Sequence, residues 1–184
     1  MDEAHRLKQL YAGQITLLVG LETEYITAED FAGLDRLLEK HASRIEYIVG
    51  SVHHTNRIPI DFDRLTFERA LESYSTSMSD DQTVLLERLY LDYFDAQYEM
   101  MLRYRPEVIA HFDLCRLYQR GLKLEGFPQV WAKIMRNVDF GISYGALFEL
   151  NAAAFRKGWE TAYPGADVVK VNAGLFPVCL FLLI

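Results

Sequence analysis

Four apolar runs in this 184-residue chain each end on side chains that can bind a metal ion or move a proton. "GLETEY" brings Glu22 and Glu24, "GSVHH" brings His53 and His54, "AHFD" brings His111 and Asp113, and "ELN" brings Glu149 and Asn151. Carboxylates and imidazoles together form a ligand set that Zn, Mn and Fe all accept. Each residue alone has a plainer reading, as a solvated loop acid or a hydrogen-bonded rim histidine. The recurrence of Glu, His and His at successive run ends says more than any one of them. The histidine doublet draws notice because the chain holds only five histidines. Neighbouring side chains on a strand point to opposite faces, so only one of the pair easily joins a shared site. His5 and His41 fall on predicted helices without a partner pattern and read as surface residues.

Something must bring these run ends together. The spacing predicts a short helix over 2–12 and a buried strand in "ITLLVGLETEYI", whose apolar run is nearly continuous up to Gly20. "TAEDFAGLDRLLEKHA" has a Thr cap, acids in its first turn and apolar residues at helical spacing. "RIEYIVGSVHH" is the next predicted strand. "TNRIPIDFD" reads as a loop in which Pro59 blocks regular pairing. Helices follow near 64–74 and 80–104, then a strand in "EVIAHFDLC", a helix in "PQVWAKIMRNV" with Pro128 near its start, and a strand in "GALFELNAAAF" that runs into a loop. Alternation of this kind implies a parallel sheet with helical crossovers, as an open sheet or a barrel. In such folds the C-terminal strand ends share one mouth, where active sites sit.

Composition narrows the function classes. The length suits a single domain. With 51% hydrophobic and 13% aromatic residues there is material for a core. A net charge of −7 argues against a nucleic-acid surface, where a basic stripe is expected. An anionic small molecule stays possible, since a local cluster of Arg or metal suffices for it. Two cysteines, Cys115 and Cys179, give neither a disulfide framework nor zinc-finger spacing. A reducing, cytoplasmic setting is therefore expected. The N-terminal "MDEAHRLKQLY" lacks the apolar centre of a signal peptide. The terminal "GLFPVCLFLLI" is apolar but only about half the roughly 20 residues of a membrane span, so no membrane partner is expected.

Taken together, "GLETEYI", "GSVHHTNRIPIDFD", "VIAHFDLCRLY" and "ELNAAAFRKGW…YPG" resemble the polymerase-and-histidinol-phosphatase (PHP) superfamily, most closely its fungal-type monofunctional histidinol-phosphatases. The resemblance runs from about residue 5 to residue 167 and is carried by four motifs in order. It implies an α/β fold: an incomplete, distorted (β/α)7 TIM-like barrel of the PHP type, with divalent metal ions (Zn, Mn or Fe) at its C-terminal mouth. Carried over by motif, Glu22, His53 and His111 match metal ligands, while Arg116 and Arg156 match contacts to substrate phosphate. A guanidinium fork suits phosphate oxygens. His54 is expected to face away, in a packing or supporting role.

The resemblance also implies departures. The family opens on an "HxH" strand and a further histidine strand, and closes on an "SDDSH"-like strand; none of these motifs is matched here. The expectation is a partial PHP domain over 1–167 followed by an atypical apolar tail over 168–184. The implied function is hydrolysis of L-histidinol phosphate to L-histidinol and phosphate in histidine biosynthesis. Weak activity is expected, because only three of the family's ligands are matched. Two other readings stay open: a PHP phosphoesterase for another small phosphate ester, and a non-catalytic product.

Overall fold

The computed structural model describes residues 1–172 and 180–183. Five strands form one parallel sheet: β1 (Gly20–Glu22), β2 (Tyr47–Gly50), β5 (Val108–Ile109), β6 (Leu147–Asn151) and β7 (Leu180–Leu183). Their spatial order is their chain order, and every adjacent pair is parallel. The register sets Glu22 opposite Val49, Gly50 opposite Ile109, and Ile109 opposite Phe148, so the C-terminal strand ends line up. Among the described residues the sheet does not close, and β1 and β7 are its edges. Part of the expected tail is therefore the fifth strand, with Phe148 paired to Leu180 and Asn151 to Leu183. Cys179 and the rest of 173–179 lie outside the described residues.

Helices cross between the strands. After α1 (Asp2–Leu10) and β1 comes α2 (Ala28–His41), which starts at a full capping box. Asp30 accepts the Thr27 N–H at 2.7 Å, and the Thr27 hydroxyl accepts the Glu29 N–H at 3.3 Å. The link from β2 to β5 is long. It contains a small antiparallel hairpin of β3 (His54–Thr55) and β4 (Ile58–Pro59), then α3 (Arg64–Glu72) and α4 (Gln82–Tyr104). Asp63 and Asp81 cap these helices through the Thr66 and Val84 amides at 2.7 and 2.9 Å. From β5 the chain passes through α5 (Pro128–Ser143) to β6, then α6 (Ala153–Arg156) and α7 (Ala166–Asn172).

The core lies where α4 and α5 meet each other and the sheet. On α4 the buried residues are Leu86, Leu89, Tyr90, Tyr93, Phe94, Gln97, Met100 and Met101. That is a three-and-four repeat, which places them on one face. Gln97 is the polar member, and it is satisfied. Its amide donates to the Phe112 carbonyl at 3.1 Å and its oxygen accepts from Asn137 of α5 at 3.1 Å. These bonds tie both helices to the turn after β5. At Gly50 any Cβ would stand 2.6 Å from both Met100 Sδ and the Pro106 ring. Only glycine lets β2 lie this close to the end of α4.

The first strand is much shorter than its apolar run. Ile15 and Leu18, inside the predicted first strand, are exposed, and pairing begins only at Gly20. The predicted loop 55–63 holds the β3–β4 hairpin instead. Its two-residue turn puts Asn56 and Arg57 at φ 46° and 66°, the left-handed geometry of a tight hairpin. Pro59 pairs only at the rim of this two-rung ladder.

Candidate metal centre

Glu22 is the last residue of β1, and its carboxylate stands over the strand ends. Oε1 accepts the Ser51 hydroxyl at 2.6 Å and lies 3.5 Å from His111 Nε2 and 3.8 Å from His53 Nε2. The hydrogen bond from His111 is the main force holding this carboxyl down at about 2, and burial opposes it. Ser51 and the charges of both histidines add to the lowering.

His53 follows β2, where the chain leaves the sheet for the hairpin. Glu24 fixes it twice: one carboxylate oxygen takes the His53 backbone N–H at 3.0 Å, and the other meets Nδ1 at 2.6 Å. Burial pushes the His53 imidazole down, but Glu24, with help from Asp61 and Glu22, leaves it raised overall. With Nδ1 engaged by a carboxylate, Nε2 is turned toward Glu22. Metal-binding histidines are oriented by carboxylates in this way. His54 has Nδ1 3.4 Å from Glu24 and lines a separate cavity with Tyr25, Asn56 and Asp92. It faces away because the chain has turned into the hairpin, not because of strand pleat.

His111 comes two residues after β5 at φ 25°, an uncommon setting for a residue with a side chain. It is buried, and its ring lies 4.7 Å from that of His53. Its backbone N–H donates to Glu149 at 2.7 Å. Its Nδ1 is buried and has no hydrogen-bond partner among the described residues.

One donor atom from each of Glu22, His53 and His111 lies within 4.8 Å of the others. The 3.5 and 3.8 Å separations are close to the roughly 3.3–3.5 Å between two tetrahedral ligands held about 2 Å from one ion. The chemistry of the set fits a borderline divalent ion, and the Glu24 support fits it too. The three residues line a cavity of about 450 Å³ with Glu149 and Asn151. Glu24 and Glu149 are strand-end acids in the sequence, but residue type alone does not distinguish such a supporting acid from a ligand. For Glu24 the signal was its place two residues after Glu22, which in an extended chain returns it to the same side.

Neither arginine is among the residues that line this cavity. Arg116 is buried, with its guanidinium 2.6 Å from Asp113 and forked onto Asp167 at 2.7 and 2.8 Å. It also lies 5.6 Å from the centre of the Trp159 ring. Burial raises the Asp113 carboxyl against the pull of Arg116, whereas the Arg116 fork lowers Asp167 despite its burial. Arg116 lines a cavity of about 550 Å³ that shares no lining residue with the Glu22 cavity. Arg156 is exposed on α6, with no side-chain hydrogen-bond or ion-pair partner among the described residues.

Fold and donor set together define a parallel α/β protein with a metal-competent cluster at its C-terminal strand ends. A family model for the PHP domain matches residues 1–153, and the chain belongs to that family. It is 45% identical over 174 residues to a Schizosaccharomyces pombe protein named "Probable histidinol-phosphatase", covering 93% of this chain and 54% of that one. It is 29% identical over 203 residues to the Saccharomyces cerevisiae "Histidinol-phosphatase", covering 95% and 58%. The chain thus spans little more than half the length of these curated relatives. A crystal structure from Listeria monocytogenes, of a protein provisionally assigned as a histidinol phosphatase, superposes with a TM-score of 0.78 at 18% identity. The match covers 98% of this chain and 67% of that one, and shows the mixed helix and parallel-sheet α/β fold of the PHP type. Among the described residues no helix is long and apolar enough to cross a membrane.

Proposed function

We propose that this chain carries part of the metal-binding site of a histidinol-phosphatase, a phosphoric monoester hydrolase acting on L-histidinol phosphate in the cytoplasm. The observation that carries the reading is the convergence of Glu22, His53 and His111 at three strand ends. These three hold one divalent ion: Zn, Mn or Fe. When bound, the ion supplies Lewis-acid polarisation of a phosphoryl oxygen and a water acidified toward neutral pH. Glu24 holds the His53 ring so that Nε2 presents its lone pair to the site. Glu22, ionised throughout the neutral range, contributes negative charge. Arg156, exposed and without a side-chain partner among the described residues, is the proposed phosphate contact beyond β6. Arg116 joins it only by exchanging Asp167 for phosphate oxygens.

The test is titration calorimetry of the purified chain with Mn2+, Zn2+ and Fe2+, followed by phosphate release from L-histidinol phosphate and from nucleotide and sugar monophosphates. The expected result is one ion bound per chain, lost in His111→Asn, and a preference for L-histidinol phosphate. Preference for another ester moves the substrate within the same chemistry. Metal uptake without phosphate release reduces the chain to a binding module. No metal uptake refutes the reading.

A further inference from the structure

We propose that Glu149 is the positioning residue for His111, acting through the His111 backbone and not through the imidazole. The inference rests on the reading that Glu22, His53 and His111 hold a divalent ion.

His111 is the one member of the cluster whose backbone sits in the left-handed region, at φ 25°. A residue with a Cβ persists there only when its surroundings over-determine it. Rotation about the N–Cα bond toward the ordinary range would swing the imidazole and carry Nε2 away from Glu22. What opposes that rotation is visible. The His111 N–H points at Glu149 Oε2, 2.7 Å away, a short bond to a carboxylate. The His111 carbonyl takes the Leu114 N–H at 2.9 Å. The peptide before the ring is therefore held by Glu149 and the peptide after it by the local turn.

Glu149 is itself constrained. It is the middle residue of β6, 1% exposed, and Asn151 donates its amide to the same Oε2 at 3.0 Å. The Asn151 side-chain oxygen Oδ1 in turn accepts the Ala153 N–H at 2.8 Å, at the start of α6. Among the described residues Glu149 has no cationic side-chain partner, so it is not one end of an ion pair. A carboxylate this buried is costly unless its hydrogen bonds are met, and those bonds go to His111 and to the residue that orients it. A connected path thus runs from α6 through Asn151 and Glu149 to the backbone of His111. Glu24 does the matching work for His53 from the other side of the site.

The experiment compares full-length Glu149→Ala, Glu149→Gln and wild type by titration calorimetry with Mn2+ and Zn2+, alongside thermal melts in EDTA. Outer supports of metal ligands typically change affinity by about 10- to 100-fold when removed, and Glu149→Ala is expected to lose that much. Glu149→Gln keeps an oxygen that can accept the His111 N–H, and is expected to recover most of the affinity. Asn151→Ala loosens Glu149 without removing it, and should show a smaller loss in the same direction even if Glu149→Ala fails to fold. Equal affinity in Glu149→Ala and wild type overturns the inference. So does a Gln variant as weak as the Ala variant, since the carboxylate would then act by charge. Wild-type protein that binds neither metal fails earlier, at the cluster itself, and takes the inference with it.

Discussion

Arg116→Met separates two roles that a buried arginine can have. The change removes three short contacts to carboxylates, at 2.6, 2.7 and 2.8 Å, from a residue only 3% exposed. Hydrogen bonds to charged groups contribute about 1.5–3 kcal/mol each, so the gross loss is roughly 4–9 kcal/mol. Two effects offset part of it. The guanidinium no longer has to be desolvated, and the methionine stem keeps much of the packing against Trp159. What remains is a fully buried Asp113 beside Asp167 with no counter-charge. Removing one partner of a buried ionic group costs about 3–5 kcal/mol, and that is the expected destabilisation. Against a total of about 5–15 kcal/mol for an ordinary domain, it should lower the melting temperature by at least roughly 6 °C, at about 2–4 °C per kcal/mol for a chain of this size. The assay is urea unfolding followed by tryptophan fluorescence, in EDTA so that metal contributes nothing. Arg116→Met combined with Asp113→Asn and Asp167→Asn should recover much of the loss, because an all-neutral replacement leaves no buried charge unpaired. A single variant within about 0.5 kcal/mol of wild type, the usual range for surface changes, would refute the clamp and restore Arg116 as a free phosphate contact.

Glu24→Ala removes the side chain that meets His53 Nδ1 at 2.6 Å; affinity for Mn2+ or Zn2+ should fall about 10- to 100-fold, read by calorimetry, and an unchanged affinity would show that His53 needs no orienting partner. Gly50→Ala sets a methyl group against Met100 and Pro106; overpacking of this kind costs about 1–3 kcal/mol, measured by denaturant titration. Asp81→Ala removes the cap on the long helix α4 and should cost about 1 kcal/mol; helical content by circular dichroism should hold while the unfolding midpoint shifts.

Residue type and place marked eight strand-end candidates for the site, and the family resemblance singled out three of them. Glu22, His53 and His111 each end an apolar run, and a parallel sheet puts such ends side by side. The helices were legible too, because caps such as Thr27, Asp63 and Asp81 are local chemistry and the α4 repeat is periodic over 23 residues. The strands were less so. An apolar run such as that before Gly20 does not reveal where ladder pairing begins, since the partner strand decides it. The β3–β4 hairpin was hidden because its turn is Asn56–Arg57, and Arg57 at φ 66° carries none of the glycine signal usual at that position. The setting of Arg116 was hidden for another reason. Its partner Asp167 is 51 residues away, and nothing local distinguishes a fork aimed at a carboxylate from one aimed at phosphate.

The strand order has a consequence for how the site comes into being during synthesis. Because β1, β2, β5 and β6 lie side by side in the order they are made, each new strand meets its neighbour already in place, and no earlier strand waits for a later one to be inserted beside it. The delays are nonetheless unequal. Glu22 and His53 emerge close together, whereas His111 follows only after the hairpin, α3 and α4. At about 5–20 residues per second, the 58 residues from His53 to His111 take roughly 3–12 s to translate. During that interval two of the three donors stand at the end of the β1–β2 ladder with the free edge of β2 bare. The helix that must arrive before β5 can dock is α4, the one that packs Met100 against Gly50. A slow or faulty α4 therefore prolongs the life of an open edge carrying a half-built cation site, and a chaperone or a premature metal ion would meet the nascent chain at that stage.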